Sequence, residues 1–259
     1  MAVYRVRAFQ VAELPVPGWE CFFGRNDTAF HTLAFHVWVI EGNGRTIVVD
    51  AGPPPDEADF EYLVKACQSI DPRSTMRRLA PLDAVFAQAG VRAESIDALL
   101  LTQTITYHTG GLVAELFPRA RVYLARAGML EFLLDNPGHP PREAYFTEET
   151  WRYLRRLAVE DRLVLAGGPA EVAEGVWFET TGGHHPGSAA VKVATAAGRL
   201  GILETAFLRE NVEQELPIGV AEDAALCRQV IRRYRRECDL VLACHDPTIR
   251  ERFAGGVVA

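Results

Sequence analysis

The apolar residues of this chain follow two patterns, one with the period of a strand and one with the period of a helix. Residues 3–11 alternate apolar and polar side chains, as an edge strand with one buried face does. Other runs are continuously rich in Val, Leu and Ile and in many cases end at Gly or Pro, which is typical of buried strands. The predicted strands are residues 3–11, 33–40, 46–49, 98–101, 122–125, 176–180, 190–195, 200–203 and 240–243.

Longer segments repeat their apolar residues every three or four positions, which predicts helices with one buried face. The predicted helices are residues 57–69, 76–89, 128–134, 148–157 and 222–237. Strands dominate the first part of the chain, helices follow, and a second group of strands precedes a last helix and strand. Two packed sheets with helices on both outer faces fit this order, but so do other layered α/β folds.

The chain contains no internal repeat, low-complexity tract or linker, so we expect a single domain over residues 1–259. One segment, residues 136–146 (NPGHPPREAYF), is too rich in proline for a helix or a strand. It is either a lid over a site or an ordinary surface excursion, and the sequence leaves both interpretations open.

Composition and charge exclude several classes of protein. The net charge is −7 and the isoelectric point is near 5.6, whereas a nucleic-acid-binding surface needs clustered positive charge. The arginine-rich stretch 231–236 (IRRYRR) is interpreted as the solvated face of a helix.

No apolar run has the length of a membrane span or the form of a signal peptide. The five cysteines are an odd number without C-x-x-C spacing, which indicates reduced thiols. We therefore expect a cytoplasmic protein that binds neither nucleic acid nor membrane.

Candidate chemistry begins in residues 98–111 (ALLLTQTITYHTGG), where an apolar strand leads into a polar loop. The loop contains Gln103, Ile105, Tyr107 and His108, and a Gly-Gly pair then opens a predicted short helix. Polar residues also follow other strands, both before and after this loop. These stretches are 46–52 (TIVVDAG), 181–188 (TGGHHPGS), 202–213 (ILETAFLRENVE) and 243–247 (ACHDP).

Taken together and in this order, the five segments resemble the metallo-β-lactamase superfamily, whose first loop has the pattern H-x-H-x-D-H-x-G-G. The stretch ENVE resembles the branch that includes N-acyl-homoserine lactonases and related hydrolases. The resemblance spans nearly the whole chain. It implies an α/β fold, the four-layer αββα sandwich of that superfamily, and it allows a homodimer.

The resemblance implies that one of the two metal subsites of the family is missing. In the family, the first two histidines of the loop and a histidine of a later turn hold one ion; here those positions are Gln103, Ile105 and His184. Isoleucine cannot coordinate a metal, and a glutamine carbonyl is a poor ligand for a transition metal. We expect this subsite to be empty.

The second subsite keeps more of its ligands. The resemblance implies that Tyr107 replaces the loop aspartate, that Glu204 replaces an aspartate bridging two metals, and that His108 and His245 are retained, with Asp50 in a supporting role. Two histidines and one carboxylate form a ligand set of mononuclear Fe(II), Mn(II) and Zn(II) sites. His184 is a further candidate, either as a ligand or as a proton donor.

Two functions therefore stay open. The first is a metal-dependent hydrolase with one divalent ion, acting on a lactone, an ester or a similar small carbonyl substrate, with His184 or Tyr107 assisting proton transfer or holding the oxyanion. The second is a metal-free relative that binds a small molecule or carries out acid–base chemistry. A redox protein with non-haem iron follows only from the ligand set.

Some histidines and the tyrosine have more than one interpretation. Tyr107 either fills the space left by a missing metal or polarises a substrate carbonyl. His185 is expected at the rim of a cavity or on the surface. No motif gives a role to His31, His36 or His139.

Overall fold

The structure, a computed structural model, describes residues 3–134 and 144–259. Most of the proline-rich segment 136–146, including His139, lies outside the described residues.

Two mixed sheets form the centre of the structure. The larger sheet has seven strands in the order β4-β1-β2-β3-β5-β6-β7, and the smaller has five in the order β12-β11-β10-β9-β8. The strands are β1 (Arg5–Pro17), β2 (Phe30–Gly42), β3 (Arg45–Val49), β4 (Arg77–Arg78), β5 (Ala98–Leu100), β6 (Arg121–Ala125), β7 (Leu163–Ala166), β8 (Ala170–Ala173), β9 (Val176–Thr180), β10 (Ala189–Thr195), β11 (Gly198–Leu203) and β12 (Leu240–Ala243).

Helices cover the outer faces of both sheets. Those against the larger sheet are amphipathic, and one further long helix packs on β11 and β12 of the smaller sheet. The helices in the described residues are α1 (Gly18–Cys21), α2 (Glu57–Ile70), α3 (Leu82–Ala89), α4 (Thr106–Thr109), α5 (Arg126–Leu133), α6 (Glu148–Val159), α7 (Arg209–Glu213), α8 (Ala224–Glu237) and α9 (Ile249–Arg252). The αββα sandwich expected from the sequence is therefore confirmed.

The strand period of two divides the core into layers. Along β3, Ile47 and Val49 face the smaller sheet, whereas Val48 faces the helices. Trp38 of β2 and Phe178 of β9 are fully buried in the layer between the sheets. Continuous apolar runs such as β3 and β5 thus reflect strands that are covered on both faces.

Two predicted helices differ from the structure, and two strands lie outside the prediction. The helix predicted over residues 76–89 begins at Leu82, because Arg77 and Arg78 pair with β1 and Pro81 precedes the first turn. Two strands, β7 and β8, were not predicted from the sequence. The Gly-Gly pair does not open a helix: α4 ends before it. A Cβ on Gly111 would lie 2.1 Å from the carbonyl oxygen of Ala51, so close packing explains this glycine.

In residues 3–134 and 144–259, none of the helices combines the length and the apolar character needed to cross a membrane.

The layer between the sheets can be tested with one pair of tryptophans. Trp38→Ala should lower the free energy of unfolding by about 3–5 kcal/mol, because it leaves a cavity between the sheets. Trp177→Ala removes the same side chain from the outer face of β9, where it is 39% exposed, and should cost less than about 1 kcal/mol. Urea denaturation measures both values, and equal losses would contradict the placement of Trp38.

Candidate metal centre

The candidate centre forms where two pairs of parallel strands end. β3 runs parallel to β5 and is followed by Asp50, while β11 runs parallel to β12 and is followed by Glu204. The backbone N–H of Ala189 at the start of β10 donates to the Thr102 carbonyl at 2.7 Å and so joins the two sheets at this edge. Residues that are distant in sequence therefore meet at one end of the sandwich.

Asp50 fixes the loop that carries His108. Its carboxylate accepts from the Thr102 backbone N–H at 2.8 Å and from the Thr102 hydroxyl at 2.7 Å. The Oδ2 atom also lies 2.9 Å from Nδ1 of His108. Asp50 itself has a φ of +60°, a conformation that is uncommon for residues other than glycine. The supporting role that the sequence suggested for Asp50 thus corresponds to contacts with His108 and its loop.

His245 is held in a comparable way from the opposite side. Its Nδ1 lies 3.2 Å from the carbonyl oxygen of Ala34, and its backbone N–H donates to the Phe207 carbonyl at 3.1 Å. The ring of Phe35 packs 4.5 Å from the imidazole, centroid to centroid. Because Nδ1 donates to a carbonyl, Nε2 of His245 keeps its lone pair.

His108, Glu204 and His245 are buried, and each offers a ligand atom within 4.8 Å of those of the other two. Both histidines use Nδ1 to contact an oxygen, which is the arrangement that orients metal-binding imidazoles. The Oε2 atom of Glu204 is buried and has no hydrogen-bond partner. Two oriented imidazoles and a buried carboxylate oxygen fit a divalent cation.

The surroundings of His108, Glu204 and His245 shift their pKa values in different directions. Burial alone would raise the pKa of Glu204, but His184 and His108 hold it at about 2. Burial opposes protonation of His108, yet the neighbouring Asp50 and Glu204 carboxylates raise its pKa above the ordinary value. Burial, together with the charge on His108, lowers the pKa of His245 well below the usual range. At neutral pH the cluster thus contains a carboxylate and a neutral imidazole.

His184 lies beside the same carboxylate, as the sequence suggested. Its Nδ1 makes a short contact with Oε1 of Glu204. Its ring meets Phe207 edge-on, with centroids 5.1 Å apart. The contact with Glu204 is compatible with either role predicted for His184, ligand or proton donor.

The side chain of Gln103 is used within its own loop. It is buried, and its Oε1 accepts from the backbone N–H of Thr104 at 2.7 Å. The oxygen that would have to coordinate a metal thus accepts a hydrogen bond from its own loop. That the subsite of Gln103 and Ile105 holds no ion stays a prediction.

Tyr107 directs its hydroxyl towards α2. The phenol oxygen lies 3.6 Å from Sγ of Cys67, and the ring stacks on Phe35 with centroids 5.4 Å apart. Burial, followed by the influence of Cys67, raises the pKa of Tyr107 well above its usual value. The protonated phenol packs against the core with its hydroxyl on Cys67, which favours the space-filling interpretation over a phenol that polarises a substrate carbonyl.

The structure also reveals a buried acid–histidine pair that the sequence did not indicate. His185 was expected at a rim or on the surface, but it is only 6% exposed, and its Nε2 lies 2.8 Å from Oε2 of Glu131. The Gly187 backbone N–H donates to Nδ1 of His185 at 3.0 Å, so Nε2 carries the proton. Although Glu222 also lies nearby, this tautomer suits a hydrogen-bonded pair rather than a metal ligand. Its acidic partner Glu131 lies on α5, 54 positions away in the sequence, so the pair left no local signal.

The chain is similar to several solved structures over nearly its whole length. An N-acyl homoserine lactone hydrolase, with N-hexanoyl-L-homoserine bound at its catalytic metal centre, has a TM-score of 0.76 at 16% identity, covering 98% of this chain and 97% of that protein. A probable metal-dependent hydrolase from Staphylococcus aureus has a TM-score of 0.71 at 14% identity, covering 94% and 89%. A hydrolase of the beta lactamase superfamily has a TM-score of 0.68 at 14% identity, covering 98% and 89%.

Neither a protein-family model nor a curated protein sequence matches the chain. The structural similarities establish the fold, and they agree with the resemblance carried by the five sequence segments. The chain has the metallo-β-lactamase fold, in the form also found in N-acyl homoserine lactone hydrolases.

Proposed function

We propose that the protein is a hydrolase that uses one divalent metal ion, Zn(II), Fe(II) or Mn(II), held by His108, Glu204 and His245. The observation that carries the proposal is the orientation of the two histidines. Each contacts an oxygen through Nδ1, and each lies within reach of the same buried carboxylate. This arrangement leaves Nε2 as the donor atom of both rings.

When bound, the ion would supply Lewis-acid activation of water and of a substrate carbonyl. The protein supplies the surroundings of that reaction. Phe35 and Phe207 pack against His245 and form an apolar wall, which strengthens charge interactions by excluding water. His184, which contacts Glu204, is partly exposed, and its imidazole can donate a proton to a substrate or accept one from it.

We propose a lactone, an ester or a similar small carbonyl compound as the substrate. Similar structures include lactone hydrolases, one of which holds its hydrolysed product at the metal centre. The loss of the first subsite leaves this chain with three ligand residues on one ion, which is the number found in mononuclear catalytic sites with open positions. All five cysteines are free thiols, which supports the proposal that the protein works in the cytoplasm.

One observation favours a second candidate, a metal-free protein that binds a small molecule or carries out acid–base chemistry. Glu204 is already paired with His184. The raised pKa of His108 favours its protonated form, which places a positive charge near the Glu204 carboxylate. The negative charge of the carboxylate is therefore compensated by protein groups alone. The two candidates differ in whether a cation is needed at this position.

Metal content tests the first candidate directly. Protein purified without chelators should contain about one equivalent of a divalent metal by elemental analysis, and loaded protein should hydrolyse lactones or esters. His245→Ala removes one ligand and should lose most of the metal and the activity. His31→Ala is the control, since His31 contacts Asp27 in the α1–β2 connection and not the cluster. Less than about a tenth of an equivalent, even after metal is added, would contradict the proposal.

Tyr107→Phe distinguishes the two interpretations of this residue. If the phenol fills space, removing its hydroxyl should change kcat by less than about threefold, because only the contact with Cys67 is lost. A general acid would instead contribute about 10²–10⁴-fold. Both kcat and metal content are measured for the parent protein and for the variant. A loss of a hundredfold in kcat at unchanged metal content would contradict space filling.

Thermal unfolding with a chelator separates the two candidate functions. A metal-bound protein should lose stability when the ion is removed, since a ligand that binds only the folded state stabilises it. We expect the Tm to fall with chelator and to recover when excess Zn(II) or Mn(II) is added. His245→Ala, which lacks a ligand, should show no change. An unchanged Tm for the parent protein would favour the metal-free candidate.

A further inference from the structure

A cavity of about 410 Å³ lies behind the candidate metal centre, at the edge of the larger sheet. Strand β1 is bridged to the C-terminal segment at Arg7 and pairs with β4 only from Ala12 onwards. A β-bulge between Gln10 and Ala12 interrupts the strand at the same place. The cavity occupies the gap along this edge, between α3 and α9.

His36 forms part of the wall of this cavity. It is only 5% exposed, its Nδ1 lies 3.1 Å from the carbonyl oxygen of Cys244, and its Nε2 is buried without a hydrogen-bond partner. Burial lowers the pKa of His36 to about 4, so the ring is neutral at pH 7. Because Nδ1 donates to the carbonyl, Nε2 is an acceptor that lacks a donor, which is unfavourable for a buried polar atom.

Three further polar side chains line the same cavity. Gln10 is paired with His36 in the β1–β2 ladder, so both side chains lie on one face of the sheet. Gln88 comes from α3, and Arg250 comes from α9. Within residues 3–134 and 144–259, none of the three has a side-chain hydrogen bond or an ion pair. The cavity thus gathers an acceptor, two amides and a cation with unused hydrogen-bonding capacity.

The remaining wall is apolar. Phe9, Val85 and Ile249 contribute hydrophobic side chains. Gly256 closes one end: its φ is +74°, and a Cβ at this position would lie 2.5 Å from the carbonyl oxygen of Ala8. The cavity thus combines apolar side chains with polar groups that can fix the orientation of a small molecule.

This cavity is distinct from the metal centre. Phe35 and His36 are neighbours on β2, so their side chains point to opposite faces of the strand. Phe35 packs against His245 of the centre, whereas His36 lines the cavity. None of the three candidate metal ligands is among the residues that line the cavity, so a ligand there would not touch them.

We propose that this cavity binds a small carboxylic acid that also carries a hydroxyl group. The carboxylate would pair with Arg250, which has no acidic partner in the described part of the chain. The hydroxyl would donate to Nε2 of His36, and the hydrocarbon part would lie against Phe9, Val85 and Ile249. This assignment does not depend on whether the metal centre is a hydrolase.

Mandelate and phenylacetate are matched probes, because they differ only by one hydroxyl. In titrations of the ¹⁵N-labelled protein followed by NMR, mandelate should shift the amide signals of Gly255 and Gly256, which line the cavity. Phenylacetate should bind at least about fivefold more weakly, since it cannot satisfy the buried acceptor. The proposal would be overturned if mandelate and phenylacetate bound with equal affinity, or if mandelate left both glycine signals unchanged.

Arginine variants test the contact with the carboxylate. Arg250→Gln should weaken mandelate binding by at least about tenfold, because a charge-assisted contact is lost. Arg236→Gln is the control: Arg236 is also exposed and without an ion pair in the described residues, but it lies on α8. Equal affinity of the two variants would also overturn the proposal. Both substitutions are at exposed positions, so folding is expected to be retained.

Discussion

The candidate centre depends on the contacts that the carboxylate of Asp50 makes. It ties the end of β3 to the loop after β5 through two hydrogen bonds from Thr102, and it orients His108 through Nδ1. The left-handed backbone at Asp50 is an unfavourable conformation that these contacts offset. The same loop also contacts β10, because the Thr102 carbonyl accepts a hydrogen bond from the Ala189 N–H. These contacts together fix the position of His108 relative to the smaller sheet. Glu204 and His245 can only meet His108 if the two sheets are held in this register.

The candidate centre has two differently organised sides. On one side, Gln103 bonds within its own loop, and Tyr107 turns its hydroxyl to Cys67. On the other side, which carries the proposed metal ligands, His108 contacts Asp50, His245 contacts Ala34, and Glu204 contacts His184.

Strand β2 separates two environments. Phe35 faces the candidate centre and His36 faces the cavity at the edge of the larger sheet. Both residues also reach the turn after β12, since Phe35 packs on His245 and His36 contacts Cys244. This turn is therefore shared between the proposed metal site and the proposed carboxylate site, and its geometry constrains both.

The sequence alone determined a layered α/β arrangement and most strands and helices, because these depend on local periodicity. Its resemblance to a known family selected His108, His184, Glu204 and His245 as candidate site residues. It did not determine where those side chains point. The pairing of His184 with Glu204, the burial of His185 against Glu131 and the contact of Tyr107 with Cys67 join residues 20, 54 and 40 positions apart in sequence. The free edge of β1, with the unpaired acceptor of His36, likewise exists only once the C-terminal segment and β4 take their places. Such contacts arise from how separate elements pack, and a local pattern carries no record of that packing.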